Sequence, residues 1–189
     1  MDAPEPRRRN AAETKDRIVA AAQRSFSRSG YGRTGLREIA ADAGVTSALL
    51  VRYFGSKAGL FEAALIRTIA EHSVFTRDKD RFGEVMSRLS TERGSMDITV
   101  MLVLALADPE ARTVATRVAQ QHMIAPLAQW LGPPHAEERA ETMFALLTGW
   151  AIQSQGIGGV AAPQSIAWLA ATLQAIVDEG EDRGDVPPE

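Results

Sequence analysis

The chain has 189 residues, 45% of them hydrophobic, and carries 21 Lys+Arg against 24 Asp+Glu for a formal net charge of −3. That apolar fraction suits a packed core and sets the chain apart from disordered and collagen-like sequences. There is no cysteine, which excludes disulfide frameworks, Cys-ligated zinc, iron–sulfur clusters and thiol nucleophiles, and suits a reducing compartment. Residues 1–10 hold arginines but no apolar stretch behind them, so the start does not read as a secretory signal and a cytoplasmic location is expected.

Helical periodicity runs along the whole chain, and an all-α fold of about nine helices is predicted. Asn10 with Glu13 resembles a capping box, and Ile18, Ala22 and Phe26 repeat at helical spacing until Ser29-Gly30. Leu36, Ile39, Ala40 and Ala43 form a short stripe ended by Gly44. Thr46-Ser47 can then cap another short helix through Leu50 and Phe54. After Gly55-Ser56 a longer stripe runs from Leu60 to Ile69. Phe82, Val85, Met86 and Leu89 mark a fifth helix, 91–95 a break, and Ile98 to Ala107 an apolar sixth too short to span a bilayer. Asp108-Pro109-Glu110 starts a seventh, which Pro126 should kink and Gly132-Pro133-Pro134 should end. Two more are expected at 135–155 and from Pro163 to Glu179, closed by Gly180, before a disordered tail at 181–189.

Charge divides the chain. Residues 1–60 carry eleven Lys+Arg and six Asp+Glu, a net of +5, and the remainder a net of −8. A basic N-terminal third suggests a part that meets a polyanion, although a solvated basic face gives the same count. From Thr142 to Val177 there is no charged residue at all. Two helices lacking charge on every face are explained if one face meets the core and the other a second subunit. A homodimer is therefore expected through Leu147, Ala151, Leu169, Leu173 and Ile176, with a wholly internal helix pair as the alternative.

Residues 30–60 carry the most specific pattern. Gly30-Tyr31, Thr34, Ile39-Ala40, Ala43-Gly44-Val45, Tyr53-Phe54, Lys57 and Leu60 stand in one register. Together with Thr14, Ile18, Ala21-Ala22 and Phe26, this stretch of about residues 12–65 resembles the DNA-binding module of the TetR family of bacterial transcriptional regulators. Physics supports the same reading: Ile39, Ala40, Ala43, Val45, Leu50 and Phe54 make the core side of a helix-turn-helix, with small alanines at the crossing and a glycine turn. The second short helix would enter the major groove with Thr46, Ser47, Ala48, Leu49 and Arg52 nearest the bases. Capping and phosphate contact compete for the Thr46 and Ser47 hydroxyls. Ala48 and Leu49 can pack on thymine methyl groups. Many family members have a small hydroxyl residue where this chain has Leu49 and an aromatic one where it has Val51, so base readout shifts toward Arg37 and Arg52, either of which can bind guanine bidentately. For Arg37 a solvated surface position is the alternative. The resemblance implies phosphate contacts at Thr34, Tyr53 and Lys57, and Arg7, Arg8 and Arg9 suggest a basic arm.

The expected organisation is thus a basic arm at 1–9, a helix-turn-helix domain at 10–56, a regulatory and dimerisation domain at 57–180, and the tail. The resemblance further implies a repressor on a palindromic operator, released by a small molecule. Met101, His122, Met123, Trp130, Phe144 and Trp150 are able to line a pocket, although each also lies on an ordinary core stripe. The three histidines lack metal-ligand spacing, no nucleophile elbow or nucleotide-binding loop occurs, and no cofactor or enzymatic activity is expected. A non-specific architectural DNA-binding protein is the other alternative. Electrophoretic binding with competitor DNA separates these readings.

Overall fold

The computed structural model describes residues 6–72, 78–90, 95–158 and 161–179. All regular structure among them is helical: α1 (Pro6–Arg33), α2 (Leu36–Asp42), α3 (Ser47–Phe54), α4 (Lys57–His72), α5 (Phe82–Leu89), α6 (Ser95–Ala105), α7 (Pro109–Ala119), α8 (Ala125–Leu131), α9 (Ala136–Ala151) and α10 (Pro163–Asp178). A π-helical turn at Gln120–Ile124 joins α7 to α8 and another at Ile152–Ile157 prolongs α9. The described residues therefore form nine continuous rods, as the periodicity predicts. None of these helices is long and apolar enough to cross a membrane.

The chain separates into two compact units, one of residues 1–71 with 100–118, the other of residues 72–99 with 119–189. In the first unit, Ile18, Ala22 and Phe26 of α1, Ile39 of α2, Leu50 of α3 and Leu60, Phe61 and Leu65 of α4 are buried together. Phe26, Tyr31 and Phe61 form an aromatic cluster with ring centroids 5.1–5.9 Å apart. Asp108 caps α7, as predicted, its Oδ1 accepting from the backbone N–H groups of Glu110 (3.0 Å) and Ala111 (3.1 Å). Arg117 of α7 holds Glu62 of α4 in a bidentate pair at 2.7 and 2.8 Å. Buried Tyr31 donates its hydroxyl proton to the Glu110 carboxylate.

The start of α1 differs from expectation. The helix begins at Pro6, a residue suited to the first turn, and runs through the arginines at 7–9, which are good helix formers. Asn10 is consequently an interior position, its carbonyl accepting from Thr14 Oγ1 at 2.7 Å, and there is no capping box. The predicted stop is present as a break in helical geometry at Gly30 (φ 71°, ψ 170°).

In the second unit, Phe82 of α5, Ile124, Leu127 and Leu131 around α8, Ala140 and Met143 of α9, and Leu169, Leu173 and Val177 of α10 make the core. Helices α5 and α10 pack so closely that a Cβ at Gly83 would lie 2.1 Å from the Ala170 carbonyl oxygen. Gln174 fills the gap in backbone bonding there: its Oε1 accepts from Gly83 N–H and its Nε2 donates to Lys79 O, both at 3.0 Å. Arg139, only 4% exposed, donates Nη1 to the Ile176 and Val177 carbonyls (3.1 and 3.2 Å) and Nη2 to that of Gly132. The cation thus bridges the negative ends of α10 and α8 with helix carbonyls as its partners.

Pro126 interrupts its rod in a particular way. Ahead of it the ladder changes spacing, with Ala125 N–H bonded to the Gln120 carbonyl five residues back. This turn accommodates a residue that has no N–H and whose ring excludes the usual i−4 carbonyl. Most of the expected break at 91–95, the Gly180 stop, the tail at 181–189 and the side chains of Arg7, Arg8 and Arg9 lie outside the described residues.

Candidate nucleic-acid interface

The two short helices of the first unit are joined by a tight reversal. Gly44, at φ 65°, takes the left-handed conformation that a side chain would resist. Its N–H bonds to Ala41 O (3.1 Å), and that of Val45 to Ala40 O (2.9 Å), the paired bonds of a Schellman ending. Thr46 then opens α3 in an extended conformation with no side-chain capping bond. Its exposed hydroxyl is free of the capping role that competes for it in the sequence. Buried Leu50 turns α3 inward, and Ala48, Val51 and Arg52 are exposed on the outside, with Ser47 and Leu49 half-buried.

Electrostatics single out the same face. Arg24 pairs with Asp42 at 2.7 Å and Arg28 with Glu38 at 3.1 Å, so the acidic groups of α2 are spent on α1. Arg37 of α2 and Arg52 of α3 are exposed and have no acidic partner among the described residues. Half-buried Tyr53 lies under Lys15, whose Nζ is 5.3 Å from the ring centroid, and Lys57 Nζ is 4.3 Å from the Tyr31 centroid. Lys57 therefore bridges the aromatic cluster and the surface.

Thr34 corrects the sequence reading. Its side chain is 2% exposed, and its hydroxyl lies 2.7 Å from Gly30 O and 3.1 Å from Ser25 O. A hydroxyl buried against the end of α1 fixes the α1–α2 turn and does not reach a phosphate.

The pocket candidates are only partly brought together. Met101 is buried in the first unit, its sulfur 3.6 Å from Thr68 Oγ1, and the other candidates belong to the second. His122 and Met123 are half-buried in the first π turn. Trp130 packs on Phe82 at 4.8 Å under Lys79 Nζ, and Phe144 and Trp150 flank the same core. Trp150 Nε1 is buried without a hydrogen-bond partner. Among the described residues no three His, Asp or Glu are grouped to hold a metal ion.

Three of the expected interface residues are core instead. Ala151, Leu169 and Leu173 are buried within their own unit, and half-buried Leu147 and Ile176 pack on that core. Periodicity finds the stripes of an uncharged helix but not which stripe faces inward. The outward stripe of α10 holds Trp168, 65% exposed, with Ala171, Thr172 and Ala175, and that of α9 holds Ala145 and Gly149. Sequence reasoning misses Trp168 and meets Val51 only as a departure; their spacing from Leu169 and from Ala48 is the signal that could find them.

Known proteins agree with this geometry. The family model described as "Bacterial regulatory proteins, tetR family" matches residues 18–64, and "Tetracyclin repressor-like, C-terminal domain" matches residues 80–177. The HTH-type transcriptional regulator TtgR of Pseudomonas putida is 37% identical over 75 residues, which are 40% of this chain and 36% of TtgR, so the match spans about a third of that relative. Among solved structures, a transcriptional regulator from Rhodococcus sp. Rha1 has a TM-score of 0.64 at 23% identity, covering 92% of this chain and 99% of that one. The multidrug binding protein EbrR complexed with ethidium has a TM-score of 0.64 at 21% identity, covering 86% and 98%. With a helix-turn-helix in its first unit and the family's C-terminal domain spanning more than half of its length, the chain belongs to the TetR family of bacterial regulatory proteins.

Proposed function

We propose that this protein is a sequence-specific, DNA-binding transcriptional regulator, a cytoplasmic repressor acting as a homodimer on a palindromic operator. The observation that carries the reading is the exposed surface of α2 and α3, where Arg37 and Arg52 have no acidic partner among the described residues and Thr46 and Ala48 are exposed as well. A helix with small residues at its N-terminus and guanidinium groups at its side suits the major groove. The helix-turn-helix domain is assigned to residues 10–56 and the regulatory and dimerisation domain to 57–180. Thr46, Ser47, Ala48, Leu49, Arg37 and Arg52 face the bases in this reading, with Tyr53 and Lys57 on phosphates.

The dimer is assigned to the outward stripes of α9 and α10, with Trp168 at its centre, since an exposed tryptophan amid small uncharged residues suits a helix-packed interface. A small-molecule effector is assigned to the second unit beside Phe144 and Trp150. The buried, unpartnered Trp150 Nε1 supports this, as does EbrR, whose structure contains ethidium. Selection of binding sites from random DNA, then sedimentation, tests the reading: a palindrome with half-sites about one helical turn apart is expected. Arg37→Ala or Arg52→Ala should relax the selected sequence. Lys57→Ala should weaken all sequences alike and lower the salt slope by about one. Trp168→Glu should give folded monomers. Recovery of no preferred sequence would overturn the regulator, and a monomeric wild-type chain the dimer.

A further inference from the structure

On the outer face of α3 the most exposed large apolar side chain is Val51, at 46%, one turn beyond exposed Ala48 and beside exposed Arg52. The opposite face is anchored by Leu50, 1% exposed, so α3 cannot roll to bury Val51 without exposing Leu50. Val51 ends in two methyl groups, can neither donate nor accept, and as a β-branched residue in a helix holds one rotamer. Ala48 adds a third small apolar surface at the i−3 position, where the helix can come closest to a groove. The base edges of the major groove present donors, acceptors and a single kind of apolar group, the C5-methyl of a pyrimidine. Against any other edge Val51 would strip water from a polar atom and offer nothing in return.

Resting on the DNA-binding reading above, we infer that Val51, supported by Ala48, is a specificity-determining residue that reads a pyrimidine C5-methyl group in each half-site. Thymine carries this group, and 5-methylcytosine carries the same one. The arginines beside it supply hydrogen bonds to neighbouring bases, and Val51 supplies the apolar contact they cannot make.

The test uses the full chain and the DNA obtained by selection. Each thymine of the half-site is replaced in turn by deoxyuridine, which removes the methyl and nothing else, and each cytosine by 5-methyldeoxycytidine. Expected is one position per half-site at which removing the methyl weakens binding, or adding it strengthens binding, by about 4-fold, the size set by burying one methyl group. The arm that responds names the base. Val51→Ala should bind both forms equally, at about the affinity wild type shows for the unmethylated form. Val51→Thr keeps the shape, replaces one methyl by a hydroxyl, and should lose most of the discrimination. Because Val51 is exposed, unchanged thermal melting verifies that both variants fold. Indifference of wild type to every methyl overturns the inference, as does discrimination that persists in Val51→Ala. Failure to select any sequence overturns the DNA-binding reading itself and this inference with it.

Discussion

The two units handle charge differently, although the second also has an exposed pair, Arg81 with Glu84. In the first, cations are cancelled sideways by exposed pairs, Arg24 with Asp42, Arg28 with Glu38, Arg67 with Glu71 and Arg117 with Glu62. Among the cations outside these pairs, Arg37 of α2 and Arg52 of α3 are exposed. In the second, α9 and α10 hold no charged residue between Thr142 and Val177, and the Nη groups of buried Arg139 donate to helix carbonyls. Surface pairs of the first kind contribute little to stability, because both partners stay hydrated. Such pairs serve to decide where uncancelled charge remains. Buried arrangements of the second kind hold helices in register, and losing one partner leaves groups that water cannot reach.

This contrast can be tested by removing its members. Arg139→Ala would strand three carbonyls at two helix ends and should cost about 3 kcal/mol or more in urea unfolding of the full chain, at about 1–3 kcal/mol for each acceptor left without a donor. Arg139→Lys should recover little, because one ammonium cannot span both helix ends. Gly83→Ala forces the α5–α10 crossing apart and should cost about 2 kcal/mol; a neutral result would mean that Gln174 and Ala170 have room to move. Tyr31→Phe removes the buried link to Glu110 and should cost about 1 kcal/mol. Burial first, then the bond to Glu110 and the charges of Glu110 and Asp108, push the Tyr31 phenol well above its ordinary value of 10.0. The fold therefore keeps a proton that the unfolded chain releases near that pH. The Tyr31 contribution is constant below it and is lost as the pH rises further, a limb that should flatten in Tyr31→Phe. Smallest of all, Arg24→Ala and Asp42→Ala should couple by no more than about 0.5 kcal/mol in a double-mutant cycle. A larger coupling would erase the distinction between the units.

Much of this fold is legible in the sequence because the chain punctuates its helices with residues whose backbone or side chain admits few alternatives. Gly30, Gly44 and Asp108 each stand where they end or start a helix. The same physics limits the reading. The π turn at Gln120–Ile124 lies in a stretch of ordinary helical composition, so nothing in its residues announces the change of spacing. Sequence alone puts Leu173 on a subunit interface because a charge-free helix looks apolar from every side. Only its burial against α5 and α9 reveals which side is inside. Thr34 reads as a DNA contact because a hydroxyl near a helix start suits a phosphate and a buried carbonyl equally well. In the interface, Arg37 and Arg52 are legible as guanidinium groups, but that they lack acidic partners depends on Asp42 and Glu38 reaching back to α1.

The π turn ahead of Pro126 has a consequence for length. A residue added to an α-helix rotates the downstream turns by about 100°, and a wider turn absorbs that residue so that the downstream face is kept. Leu127 and Leu131 are buried downstream of this turn. Deleting one residue within Gln120–Ile124 should therefore let the turn close to ordinary α-helical spacing with the later side chains of α8 on the same face. The turn is thus a place where the residue count can change by one while the packing downstream stays in phase.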